Sequence, residues 1–179
     1  MHFETVSDIY AANSRSREKL IETLKGVSAG EATRCPQGEL WSIQQIAEHI
    51  AMVDEGTARI CAKLLNEAKT KGKPSDGTLP ISADFRDKSK EIAGLKVEAP
   101  ERVQPTGEVP IDESLVRLAS SRQLFDSIRR DLALFDLSDH KFAHPYFGGL
   151  TAIEWLIVAG GHESRHTRQI ERWLDTIRQ

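Results

Sequence analysis

His162 and His166 stand four positions apart near the C-terminal end of the chain, and His49 lies more than a hundred residues upstream. On a helix, residues four apart share a face one turn apart, so two imidazoles placed this way can grip one metal ion and need a third ligand from elsewhere. His49 is the candidate for that ligand. Three neutral imidazoles leave a fourth, exchangeable position, the pattern of a catalytic rather than a closed structural site. A water there would have its pKa lowered toward ~7, and any thiol bound there would be held as the reactive thiolate. Three nitrogens do not choose a metal by affinity alone; zinc is expected first and nickel second, because availability decides. Glu163, next to His162, is read either as a carboxylate that orients a ligand or carries a proton, or as a solvated residue of the helix surface.

The string His162-Glu163-Ser164-Arg165-His166 also satisfies the His-Glu-x-x-His pattern of zinc proteases. That reading needs a further ligand downstream, and only thirteen residues follow His166. Glu171 shares the helix but is poorly placed to close on the same ion. No sheet is expected that would align a peptide substrate. The protease reading is therefore rejected.

The histidines depend on the helices that carry them. Apolar residues recur at helical spacing in four stretches, and no convincing two-residue alternation interrupts them. The first runs from about Ser7 to Val27. The second opens with Ser42 as N-cap, Gln45 three later and Trp41 able to staple onto Ile46; it continues to about Glu67, with Ile46, His49 and Val53 on its inward stripe. The third spans roughly Glu113 to Phe135, with Asp112 as a candidate cap. The fourth repeats the device of the second, with Thr151, Glu154 and a Leu150–Trp155 staple, and places His162, His166, Ile170 and Trp173 inward. Gly160-Gly161 within it costs about 1 kcal/mol per glycine relative to alanine and signals a close approach by another backbone or a ligand.

Between the second and third stretches, about 68–111, fall five of the seven prolines: Pro74, Pro80, Pro100, Pro105 and Pro110. Such a segment is too long for a turn, and in a bundle it serves as a crossover between parallel helices. A helix of about 24 residues is about 36 Å long, well within its reach. The expected architecture is all-α: one domain over 1–179, an up-down-down-up four-helix bundle with a long crossover that carries a short helix or strand pair of its own.

Composition narrows the partners. A formal charge of −3 and the lack of any Lys/Arg cluster argue against nucleic acid. No signal peptide and no apolar run long enough to span a bilayer are evident. Cys35 and Cys61 form no Cys-x-x-Cys pair and read as ordinary small hydrophobes of a reduced, cytoplasmic protein.

Trp41-Ser42-Ile43-Gln44-Gln45-Ile46-Ala47-Glu48-His49-Ile50 is similar to the Trp-Ser…His-Leu segment of the DinB-like superfamily, four-helix metal-binding bundles that include bacillithiol transferases of the YfiT type. His144-Pro145-Tyr146-Phe147-Gly148, Leu150-Thr151 and Glu154-Trp155, leading to His162 and His166, resemble the approach to that family's last helix. Ala99-Pro100-Glu101 and Pro105-Thr106-Gly107 resemble its crossover. The resemblance covers nearly the whole chain. It implies that His49, His162 and His166 bind one divalent metal, that a low-molecular-weight thiol is a candidate co-substrate, and that the protein forms a homodimer. His144 resembles a family position too, although its turn with Tyr146 and Phe147 also reads as loop packing.

Two functions from different classes follow. The first is a metal-dependent enzyme acting on small electrophilic molecules, a thiol S-transferase ahead of a hydrolase. The second is a non-catalytic metal-binding module that senses a ligand or stress. A homodimer without metal is the third and purely structural possibility.

Overall fold

The computed structural model describes residues 3–92, 95 and 97–179. Four long helices form the body: α1 (Val6–Lys25), α3 (Ile43–Lys71), α5 (Ile111–Leu134) and α6 (Ala152–Arg178). A one-turn helix, α2 (Ala29–Ala32), lies between the first two, and α4 (Ala83–Ile92) lies within the crossover. A hairpin of β1 (Phe142–His144) and β2 (Gly148–Leu150) precedes α6. Each start with a Ser or Thr cap is a complete capping box: Thr5 with Asp8, Ser28 with Glu31, Ser42 with Gln45, Thr151 with Glu154. Each box satisfies two backbone donors that the first turn would leave orphaned.

Helix directions follow from which residues meet. Asn13 and Arg17 of α1 meet Leu156 and Glu163 of α6, in rising order, so these two helices run parallel. Glu55 and Lys69 of α3 meet Arg117 and Asp131 of α5, again parallel. Cys61 and His49 of α3 meet Ala152 and His162 of α6 in falling order, hence antiparallel. The bundle is up-down-down-up, as the sequence predicts.

The third long helix differs from expectation at its start. Asp112 does not cap it; Pro110 occupies the N-cap without a side-chain hydrogen bond, and Asp112 and Glu113 lie in the first turn. Proline costs nothing there because its missing N–H is one the helix could not use. The acidic pair still favours the positive end of the helix.

The core divides into two apolar clusters. One gathers Ile9, Tyr10, Ala58, Leu64, Leu65, Phe125, Ile153 and Leu156; the other gathers Leu20, Leu24, Ile43, Ile46, Ile50, Leu118, Ile170 and Trp173. Between them, at mid-height, lies a polar layer of buried Arg17, Asp54, Ser121 and Glu163. The three histidines lie next to this layer, His162 adjoining Glu163 in sequence and His49 five residues before Asp54.

Gly160 has a packing reason. A Cβ there would stand 2.0 Å from Asn13 Oδ1 and 2.6 Å from its Cγ, because Asn13 Nδ2 donates to the Leu156 carbonyl at 2.8 Å across the α1–α6 seam. A Cβ on Gly161 would meet nothing within 4 Å. The two alanine variants should therefore differ in sign. Gly160→Ala is expected to cost about 1–3 kcal/mol through overpacking, while Gly161→Ala is expected to gain up to about 1 kcal/mol from helix propensity. Chemical denaturation of both variants checks this.

Candidate metal centre

α3 and α6 run antiparallel at the level of the polar layer, and this brings His49 against His162 and His166. One ring nitrogen from each lies within 4.8 Å of the others. His49 Nε2 and His162 Nε2 are 3.1 Å apart. Two nitrogens held by one zinc at about 2.05 Å in tetrahedral geometry are about 3.3 Å apart, so this pair is near the spacing an ion needs. Ring centroids are separated by 5.0 Å for His49–His162, 5.1 Å for His49–His166 and 4.4 Å for His162–His166.

Hydrogen bonds away from the centre orient two of the rings. His49 Nδ1 lies 2.7 Å from the Val103 carbonyl, which can only accept, so Nδ1 carries the proton and Nε2 presents its lone pair. His166 Nδ1 lies 2.7 Å from Gln169 Oε1 and is held in the same sense. Lone pairs thus converge from two helices on the third ring, and a single shared proton cannot satisfy all of them. A divalent cation can. Partners of this kind, which fix tautomer and ring rotation, are what metal-ligating histidines commonly have. Trp41 packs against His49 with ring centroids 4.9 Å apart and walls the site.

All three rings are kept neutral. Burial lowers His49 and lowers His166 to about 3; burial and the neighbouring His166 and His49 push His162 well below the usual range. Neutral imidazole is the form that ligates, so a metal would not compete with protons at neutral pH.

His144 stands outside this group. Its Nδ1 accepts from the backbone N–H of Tyr146 at 3.1 Å and of Phe147 at 3.4 Å, and its ring packs on Phe147 and Trp155. Burial, with Arg102 nearby, lowers it to about 4. Its geometry is that of a residue packing the hairpin onto α6.

Glu163 is neither solvated nor on the histidine side. It is 3% exposed and turns toward α1, where Arg17 Nε donates to its Oε1 at 2.9 Å. Burial raises its carboxyl to about 7 against the opposing pull of Arg17. Glu171 faces Lys19 at 3.2 Å, in keeping with the rejection of a protease centre. Cys61 is buried as expected, but Cys35 is exposed, so only the former serves as a core residue.

The sequence reading missed the polar layer. Arg17 Nη2 donates to Asp54 Oδ2 at 2.6 Å and to Glu163 Oε1 at 2.5 Å, and Ser121 Oγ donates to Asp54. The signal was present: Asp54 falls between Ile50 and Ala58 at helical spacing, on the buried stripe, where Val53 was expected. Val53 is only partly buried.

These shifts set the acid response of the metal-free chain. His49, His144, His162 and His166 have folded pKa values below the unfolded 6.5, so each takes up a proton on unfolding once the pH drops below that value. Their contribution is present above pH 6.5 and is lost as the pH falls toward the folded values. Glu163, raised from 4.5 to about 7, runs the opposite way within that window and offsets one histidine. Each proton taken up on unfolding is worth up to about 1.4 kcal/mol per pH unit, and the lowered histidines outnumber the one opposing glutamate. The melting temperature is expected to fall steeply between pH 6.5 and 5; a flat profile would contradict the burial of these rings.

The model of the DinB superfamily matches residues 12–170. The chain is 24% identical to the uncharacterized protein YuaE of Bacillus subtilis (strain 168) over 160 residues, covering 86% of this chain and 90% of that one. The crystal structure of TT2238, a four-helix bundle protein, superposes with a TM-score of 0.61 at 21% identity, covering 94% of this chain and 99% of that one. Among the described residues, no helix is long and apolar enough to cross a membrane.

Proposed function

The chain belongs to the DinB superfamily, and we propose that it uses His49, His162 and His166 to hold one divalent transition metal at which a small nucleophile is activated. The observation that carries this reading is the convergence of three imidazoles from α3 and α6 with two of them oriented from outside by Val103 and Gln169. Three protein ligands are the number found in catalytic zinc sites, which keep a position open. A metal bound there supplies Lewis acidity that favours the deprotonated form of a thiol or water.

The chain's own residues do the rest. Val103 and Gln169 fix the two rings they touch, burial keeps all three unprotonated, and Trp41 shields one side from water. Zinc is the proposed ion, with nickel second. The proposed reaction is S-transfer: a low-molecular-weight thiol loses its proton to solvent, its sulfur bonds to an electrophilic carbon, and the leaving group departs as an anion. The thiol form of the reaction rests on the family resemblance; hydrolysis is the variant in which water is the nucleophile. The proposed partner is a small molecule, and the proposed assembly a homodimer in the cytoplasm.

A second reading, a non-catalytic metal-binding module, is favoured by one observation. The crossover is fastened beside the site, by Val103 to His49, by Arg165 to the carbonyls of Ile92 and Leu95, and by the Tyr146 hydroxyl to the Glu98 carbonyl. The zinc- and nickel-loaded protein should be assayed with chlorodinitrobenzene and a panel of cysteine-derived thiols. Metal-dependent conjugate formation that disappears in His166→Ala supports the enzyme. Stoichiometric metal with no rate above the uncatalysed reaction for any thiol would favour the module.

A further inference from the structure

Glu48 immediately precedes the first of the three histidines, is 2% exposed, and makes no contact ion pair among the described residues, the Arg117 guanidinium acting on it only from a distance. A buried carboxylate without a cation is costly unless several donors are aimed at it. Here the donors come from the crossover. Glu48 Oε1 accepts from Thr106 N at 3.0 Å and from Thr106 Oγ1 at 2.8 Å, and Oε2 accepts from Gly107 N at 2.8 Å. Gln44 Nε2 adds a bond to the Gly107 carbonyl at 2.7 Å. Gly107 has φ +83°, and a Cβ there would stand 3.3 Å from Gln45 Nε2, so the turn is seated closely on α3.

Three residues before Thr106, the 3₁₀ turn Glu101–Val103 ends in the carbonyl that receives the His49 Nδ1–H. Successive residues of α3, Glu48 and His49, therefore hold the same short stretch of crossover at two points. The second of these points has no rigid element of its own: one backbone carbonyl in a three-residue turn sets the tautomer and rotation of a ring whose other nitrogen faces the centre.

We propose that Glu48 is a positioning residue for the three-histidine group: it anchors Thr106–Gly107, and through them holds the Val103 carbonyl against His49. This inference rests on the reading of the histidines as metal ligands. A residue that merely stabilised the crossover would lower the melting temperature and leave the state of the His49 ring unchanged.

The test uses the full chain with Glu48→Gln and Thr106→Val. The first keeps the shape of the side chain but turns one acceptor into a donor facing donors. The second removes one hydroxyl donor at a residue that touches no histidine. Zinc affinity is read by competition with a chromophoric chelator, and the His49 tautomer by ¹⁵N NMR of the metal-free protein. The expected result for Glu48→Gln is a zinc Kd raised roughly 10- to 100-fold, the range for residues that orient ligands, with helical circular dichroism retained. His49 is expected to change from a single Nδ1–H form to a mixture of tautomers, and Thr106→Val should move both readouts in the same direction by less. A Kd within twofold of the parent together with an unchanged tautomer would overturn the inference. Should Glu48→Gln fail to fold, Thr106→Val decides by the same two readouts. If the parent takes up neither zinc nor nickel, the metal reading fails by itself, and the tautomer still decides whether Glu48 controls His49.

Discussion

Arg17→Met is expected to be among the most destabilising single substitutions in this protein, costing about 3–5 kcal/mol. Arg17 is 6% exposed and is the cation for Asp54 and Glu163, which are 2% and 3% exposed. It also donates to the Leu118 carbonyl at 2.6 Å, so one guanidinium ties α1 to α3, α5 and α6 at once. Methionine fills most of the volume but leaves Asp54 facing Glu163, whose carboxyl is already raised by burial to about 7, in a dry layer with no cation between them. Already in the native chain Asp54 Oδ1 and Glu163 Oε2 accept from no fixed donor among the described residues, so only a proton shared between the two carboxyls can replace part of what the guanidinium supplies. At about 2–4 °C per kcal/mol for a chain of this size, the melting temperature should fall by roughly 10 °C. Adding Asp54→Asn and Glu163→Gln to the same chain should recover part of the loss, because neutral amides are cheaper to bury than unpaired charges. A loss below about 1 kcal/mol for Arg17→Met in chelator-containing buffer would mean that the layer is not the dry ion-paired junction described above.

The largest effect on ligand binding is expected from His162→Ala. His162 stands between the other two rings, 3.1 Å from His49 Nε2 and one helical turn from His166. Its loss leaves two imidazoles on different helices, neither chelating by itself. Residues that only orient a ligand cost 10- to 100-fold in affinity, so removal of the ligand should weaken zinc binding by more than about a hundredfold. The fold should persist, because His162 belongs to neither apolar cluster and its neighbour Glu163 keeps its bond to Arg17. Isothermal titration of metal into the variant, with circular dichroism as the control for folding, checks both halves of the expectation. Stoichiometric zinc uptake at parental affinity would remove His162 from the centre.

Much of this was legible because local and tertiary demands coincide. Ser42-x-x-Gln45 and Thr151-x-x-Glu154 mark helix starts by capping chemistry that any helix needs, whatever it packs against. His162 and His166 are legible as a pair because 3.6-residue periodicity alone places them together. Their meeting with His49 follows once α3 and α6 are antiparallel neighbours, which the long crossover between α3 and α5 favours. The polar layer was harder to see. Arg17, Asp54 and Glu163 sit on buried stripes at positions where a periodicity argument expects an apolar residue, and charge by itself argues for the surface. Only their simultaneous presence at one height makes each burial tolerable. The hairpin before α6 was missed for a different reason: three-residue strands are too short to show alternation. The start of α5 was misplaced because Asp112 is a common capping type, whereas Pro110 makes the turn through its fixed φ.

The role of Glu48 depends on a contact between residues 58 and 59 positions apart, which no local pattern announces. In sequence it is one more acidic residue on an amphipathic helix. In the fold it is the buried acceptor for a turn of the crossover, next to the ring that the turn orients.

The most direct test of the metal centre is elemental analysis of untagged protein purified without chelators, beside the His49→Ala variant prepared identically. About one equivalent of a transition metal in the parent and almost none in the variant is the expected result. A parent that carries no metal and takes up neither zinc nor nickel on addition would contradict a metal centre at His49, His162 and His166, and with it the proposed activity.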